Sequence, residues 1–374
     1  MDFSHITLFD HHCHPLRRPA PLPDGLSFRR YFAESGEPNM KTHIPYNLFY
    51  RRGLRDLADL LDCAPTEEAV VAARQRFPPE HYARHLFNQA NVRMLAVDTG
   101  IHSVEDYTLV EQRAFLPCQI AETLRLEALV ERLALETESF AQFEDAFRST
   151  LDDVRSRGIV AFKSIAAARG GLQLRPLARS EAAAGFAVMK ELSRRVGPVR
   201  LEDRALLEYT LLIGLEAAAT QELPVQFHTG FGDRDVDLRD ANPLHLRPLF
   251  EDETLRGATF VLLHTYPFMR EAGYLASVYS QVYVDLSQTI PFAAHGGAHA
   301  LLQVLELAPT SKVLLATNAG GIPDLFYLGA WYLRHNLGVA LTQLHAQGWV
   351  THQQAEQTAS QMLYHNAAAL YGMG

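Results

Sequence analysis

Short apolar runs, each ending in a polar or ionisable residue, recur eight times along this chain. Ile6–Phe9 leads into Asp10-His11-His12-Cys13-His14, and Val92–Val97 into Asp98-Thr99-Gly100. Phe115–Ile120 leads into Ala121-Glu122-Thr123, and Gly158–Phe162 into Lys163-Ser164. Leu223–Phe227 ends at His228, Ala258–Leu263 at His264, Val282–Val284 at Asp285, and Lys312–Ala316 at Thr317-Asn318. Continuous apolar runs of this length are what strands buried on both faces look like. Between most of them lie helix-length segments with apolar residues at helical spacing, such as Ser139–Arg157 and Leu201–Gln221. Eight strand-then-helix units predict an α/β fold, a closed (β/α)8 TIM barrel. In such a barrel the C-terminal strand ends share one mouth, where active sites form. The recurring polar ends are therefore functional evidence as well as fold evidence.

The stretch 15–91, between the first and second runs, exceeds a minimal barrel. Pro-rich turns and helical patterns at Leu54–Cys63 and Glu67–Phe77 predict a mostly helical insertion that acts as a lid. A smaller insertion is expected over Ala166–Arg200. Leu325–Leu344 reads as a barrel-covering helix, with Phe326, Trp331 and Tyr332 in the core, and the stretch Tyr364–Tyr371 as a final packing helix. With no internal repeat and no linker, 1–374 reads as one domain.

Composition narrows the function. A formal net charge of −9 opposes general binding to nucleic acid, because nothing offsets repulsion from phosphates. No apolar run reaches the ~20 residues needed to span a bilayer. The start Met1-Asp2-Phe3-Ser4-His5 lacks the pattern of a secretory signal, and three scattered cysteines make no disulfide framework. The expected setting is cytoplasmic, the expected partner a small-molecule substrate, with homo-oligomerisation left open. No Gly-x-Gly-x-x-Gly or Walker pattern occurs, so no nucleotide cofactor is expected.

His12 and His14 are two residues apart at a strand end. Strict alternation puts both on one face, with His11 and Cys13 on the other. Two imidazoles on one face can chelate an ion. His228 and His264 close the fifth and sixth runs, so four histidines converge on the barrel mouth. A structural role for all four together would demand a hydrogen-bond partner for each.

These stretches resemble the amidohydrolase superfamily, in the branch of the FluG amidohydrolase domain. The likeness is carried by Asp10–His14, by Ser27–Arg30 with Tyr50–Leu54, by Gly158–Ala167, and by Gln226–Asp233. It continues through His264-Thr265-Tyr266-Pro267, Arg270–Ala276 and Tyr364–Ala367. The resemblance implies His12, His14, His228 and His264 as ligands of one or two divalent ions, zinc first and manganese as the alternative. It implies that Lys163 can be carboxylated to bridge two ions. A structural ion pair is the competing role for Lys163, and an unmodified lysine would leave a mononuclear site.

At position 318 the chain departs from that pattern. The family carries Asp where this chain reads Thr317-Asn318-Ala319. The implied Asp would bind metal and move the proton of a water nucleophile. An amide offers only a weak carbonyl ligand and takes up no proton at neutral pH. The chain as written should be a poor hydrolase. Asn318 is either an Asp→Asn change made to arrest turnover, the favoured reading, or a natural change of chemistry.

Substrate-side expectations fall on Arg169, which could hold a carboxylate; on Tyr266, as an oxyanion donor; and on Asp98, Thr99, Glu122 and Glu271. Asp233 and Asp235 follow His228 as turn, capping or site residues. Arg29 and Arg30 read as solvated basic surface or as lid residues. The reading is a metal-dependent hydrolase of C–N bonds in a small amide, with a γ-glutamyl or amino-acid-derived amide in view. The alternatives are a metal-dependent decarboxylase of the same superfamily and a non-catalytic ligand-binding relative.

Overall fold

The computed structural model describes residues 1–19, 25–101, 103–175 and 177–374. Eight strands form one parallel sheet in chain order. They are β1 (Leu8–Cys13), β2 (Val92–Asp98), β3 (Gln119–Arg125), β4 (Ile159–Ser164), β5 (Pro224–Thr229), β6 (Thr259–His264), β7 (Val282–Asp285) and β8 (Val313–Leu314). Because β8 is only two residues long, the seam with β1 is closed by the chain that follows it. The Asn318 amide donates to the His12 carbonyl at 3.0 Å, and the His14 amide donates to the Ala319 carbonyl at 2.7 Å. The buried Asp10 carboxylate accepts from the Thr317 amide and hydroxyl at 2.9 and 2.5 Å. The α/β TIM-barrel expectation holds.

Alternation sorts the strand side chains into two cores. Phe9, Met94, Ala96, Ala161, Val261, Leu263 and Leu314 fill the interior with Tyr371. Leu8, Leu95, Phe162, Phe227, Leu262 and Val284 face outward into a shell packed by helices. This is the layered, filled interior that a small barrel needs. With Ala161 inside, Lys163 is inside too, and Gln226 and His228 share the corresponding phase of β5.

Three elements differ from the sequence reading. The third strand starts at Gln119, because Leu109–Phe115 is a helix opened by a Thr108/Glu111 capping box. Pro117 in the connection cannot donate to a ladder. Glu122 therefore lies within β3, and Arg125 ends it. In β1 the pairing register with β2 shifts between Asp10 and Cys13. His11 follows Phe9 inward by ordinary alternation and bonds Tyr371, and the irregularity falls where His12 leaves that alternation to join the same side. The last helical segment is Asn366–Tyr371 after a π-turn at Gln361–His365, and Tyr371 does more than pack outside: it plugs the barrel.

Between β1 and β2 the described residues form the helices Gly25–Arg29, Leu48–Leu61, Glu67–Arg74 and Pro79–Gln89, with three 3-10 turns. The part of the 15–91 expectation at 20–24 lies outside the described residues. Arg29 is not solvated surface; it bonds the Glu67 carboxylate at 2.5 Å. Arg30 lies over the Tyr31 ring. The long C-terminal helix is Pro323–Ala346, with Phe326 and Tyr332 buried and Trp331 half-buried under Arg52. Among the described residues, no helix is long and apolar enough to cross a membrane.

Candidate metal centre

At the C-terminal strand ends a cavity of about 270 Å³ is lined by His12, His14, Lys163, His228, His264 and Asn318. The rings of His12 and His14 are 5.3 Å apart between centroids, those of His12 and His264 5.4 Å, and those of His228 and His264 4.6 Å. His264 reaches this group by leaving the strand pattern. Leu263 faces the interior, so alternation would send the next side chain out, but His264 and Thr265 take φ of 70° and 67° and turn the ring inward. Non-glycine residues adopt such φ rarely, and characteristically at functional sites.

The hydrogen bonds fix the tautomers. Gln226 Nε2 donates to the His11 carbonyl and to Tyr371 Oη, at 2.8 and 2.9 Å. Its Oε1 therefore faces His12, and His12 Nδ1–H donates to it at 3.0 Å. His12 Nε2 is left with its lone pair, 3.4 Å from Lys163 Nζ. His14 Nδ1 donates to the Asp98 carbonyl at 3.3 Å. His264 Nδ1 donates to the Ser287 carbonyl at 3.2 Å and lies 2.9 Å from Ser287 Oγ. Ser287 Oγ donates in turn to Asp285, whose other oxygen meets His11 Nε2 at 3.1 Å. Histidines tethered through Nδ1 and open at Nε2 are the arrangement of metal ligands with their supporting shell.

His228 Nε2 is buried with no hydrogen-bond partner. Gly232 leaves the space in front of it, since a Cβ there would stand 2.9 Å from that nitrogen. An orphaned imidazole nitrogen in a cavity costs stability unless something binds it. Burial, joined by the charge of Lys163, pushes the His228 imidazolium down to about 3. Burial also holds His12 and His264 well below the usual histidine range, and lowers His14. All four are thus neutral, the form that binds a metal. Burial brings the Lys163 amine down to about 7, against the pull of Asp98 and with the help of Arg125.

Among the described residues, no three His, Cys, Asp or Glu side chains close on one point as a finished cage. Lys163 and the amide of Asn318 line the same mouth as further candidate donors. Asn318 sits at φ 54°, at the barrel seam. Neutral nitrogen donors with an orphaned Nε2 fit a divalent ion such as zinc.

The substrate-side expectations separate. Arg169 lines the cavity; its Nη2 is 3.5 Å from Glu131, and its Nε is buried without a partner. Asp98 is fully buried and committed. Its Oδ1 accepts from the Gly100 amide at 2.9 Å, and its Oδ2 accepts from Arg125 Nη2 at 2.5 Å. Burial would raise this carboxyl, but the Arg125 guanidinium overcomes that and holds it at about 2. Asp98 therefore supports Arg125 and His14 and is not free to bind a substrate amine. Thr99 donates to Glu122 at 2.8 Å, and neither lines the cavity. Tyr266 is 41% exposed against Phe231, outside the lining, so its hydroxyl is not placed as an oxyanion donor. Glu271 is in the first turn of helix Met269–Val278, where a negative charge suits the helix dipole.

Sequence reasoning missed Arg125, Arg200, Glu34 and Gln288, which all line the cavity. Asp233 and Asp235 join them, Asp235 paired with Arg200 at 2.5 Å.

Residues 121–373 match the amidohydrolase family model. FluG of Emericella nidulans is 33% identical over 246 residues, 63% of this chain. The chain spans about 28% of the length of that curated relative. A crystal structure described as a metal-dependent hydrolase from Lactobacillus casei is 29% identical, with a TM-score of 0.90, covering 99% of this chain and 97% of its own. Uronate isomerase from Thermotoga maritima shares the fold, at 12% identity and a TM-score of 0.68, over 98% of this chain and 95% of its own. The chain belongs to the amidohydrolase family.

Proposed function

We propose that this chain is a metal-dependent hydrolase that cleaves the C–N bond of a small, carboxylate-bearing amide. The observation that carries the reading is the orphaned, buried His228 Nε2 beside three histidines tethered through Nδ1, all in one cavity with Lys163. His12, His14, His228 and His264 would hold the ion, with zinc the expected metal and manganese the alternative. When bound, such an ion acidifies water and polarises a carbonyl oxygen. Lys163, buried 3.4 Å from His12 Nε2, is the residue whose carboxylation would add an oxygen ligand and a second ion.

The chain's own residues supply the rest. Arg169 has an unpartnered Nε and offers a guanidinium to a substrate carboxylate. A γ-glutamyl or other amino-acid-derived amide satisfies these demands. Arg125, fixed by Asp98, lends positive charge to the same cavity. The residue at 318 lines the same cavity at the seam. As Asp it would take a proton and pass it to the leaving amine; as Asn it cannot.

The test is turnover by the Asn318→Asp form, loaded with zinc or manganese, on a panel of carboxylate-bearing amides followed by amine release. The expected gain over the Asn318 form is about 100-fold or more, the scale of a general base. Equal rates would contradict the assignment, and carbon dioxide release without an amine would favour a decarboxylase.

A further inference from the structure

On the cavity lining, one carboxylate from the residues between β1 and β2 and one from the loop after β5 stand without a cation. Glu34 and Asp233 both line the cavity, and among the described residues neither is ion-paired. Asp233 accepts only the Asp235 amide through Oδ1. Asp235, by contrast, is paired with Arg200. Uncompensated acids alone would not define a site, but Gln288 adds an independent observation. Gln288 is 1% exposed and lines the same cavity as Glu34. Its Oε1 is buried with no hydrogen-bond partner.

The backbone of Gln288 is also held in an unfavourable place, at φ 61° and ψ −49°. This is outside the ordinary left-handed helical region that a side-chain-bearing residue tolerates. Strain of this kind persists where surrounding structure enforces it, and it is concentrated at ligand sites. Here the next residue back is Ser287, which holds His264. One turn therefore fixes a metal-ligand candidate and presents the unsatisfied amide oxygen.

An unmet carbonyl oxygen beside carboxylates calls for a donor with several N–H groups and a positive charge. We propose that Gln288 Oε1, Glu34 and Asp233 form a subsite for a primary ammonium group, so that the substrate is an amide carrying a free amine as well as a carboxylate. Arg169, also on the lining, takes the carboxylate. A zwitterionic amino-acid amide meets both groups of residues on the lining. A simple dicarboxylic monoamide meets only one and leaves the acceptors desolvated and unpaired, which is the costly case. This deepens the hydrolase reading and rests on it for the identity of the cavity, but binding at the subsite requires no turnover.

The experiment uses the metal-loaded Asn318 chain and matched ligands that differ only in the amine: L-glutamine with glutaramic acid, L-asparagine with succinamic acid, and L-glutamate with glutarate. Calorimetry should give the amine-bearing member of at least one pair an affinity at least about tenfold higher, as expected when an analogue strands polar groups of the site. Glu34→Gln and Gln288→Met should each remove that preference while leaving the affinity for the deamino member within about twofold, a split that a merely structural role would not give. Equal affinities within every pair, a preference unchanged in Glu34→Gln, or no binding by any member at millimolar concentration would overturn the proposal. The Asn318→Asp form separates the two readings. Cleavage of deamino amides with no amine preference leaves the hydrolase standing and removes the subsite. Amine-selective binding without cleavage leaves the subsite standing and removes the hydrolase.

Discussion

Gln226 joins His12 to Tyr371: its Oε1 accepts from His12 Nδ1 at 3.0 Å, and its Nε2 donates to Tyr371 Oη at 2.9 Å. Tyr371, in the helix Asn366–Tyr371, also bonds His11 Nδ1 at 3.0 Å. That helix therefore sets the orientation of the first candidate ligand from beneath. Gln226→Leu should weaken zinc binding by about 10- to 100-fold, as loss of a ligand's supporting partner does. Competition with a chromophoric chelator reads this directly. Tyr371→Phe should follow in the same direction with a smaller effect, because Gln226 keeps its bond to the His11 carbonyl.

Gly232→Ala tests the orphaned nitrogen. The added Cβ would press on His228 Nε2 at 2.9 Å, inside normal contact. Metal content should fall while the circular dichroism spectrum and melting temperature stay close to those of the parent. Unchanged metal content would mean that His228 Nε2 is not a ligand.

Asp98 and Arg125 make a buried pair whose rupture should be felt by the whole fold. Removing one partner of such a pair costs about 3–5 kcal/mol. Asp98→Asn should lower the denaturation midpoint on that scale at neutral pH. The sign in acid follows from the depressed carboxyl, held at about 2 against an ordinary 3.8. Its stabilisation is complete above the ordinary value and is lost as pH falls through that range toward 2. Between those two pH values the parent should lose stability more steeply than Asp98→Asn, as read by urea titrations.

Much of this was legible in the sequence because burial leaves a plain mark. Most of the strands are apolar on both faces and stand out, β3 being the exception, and the residues that end the apolar runs are the ones near the mouth. That pattern puts His12, His14, Lys163, His228, His264 and Asn318 at strand ends, while their roles came from the family resemblance and His264 faces inward only through its positive φ. The failures have physical causes. Arg125 was hidden because β3 carries a charged residue at its buried end, tolerable only through Asp98 on the neighbouring strand. Glu122 was misplaced because Phe115 looks like strand but is claimed by a capped helix. His11 shares the inward side with His12 because an irregularity in β1, which no short-range pattern announces, brings His12 in beside it. Glu34 and Gln288 left no signal, since their meeting depends on how the residues between β1 and β2 fold back over the barrel.

The central claim is that the four histidines form a metal centre, and the most direct test is elemental analysis of protein purified without chelators. The account predicts about one to two divalent ions per chain, zinc foremost, falling on His12→Ala and His228→Ala while both variants remain folded. Two ions would support carboxylated Lys163, and Lys163→Met should then retain at most one. Metal content near zero after incubation with zinc or manganese, or content unaffected by removing His12 and His228, would contradict it.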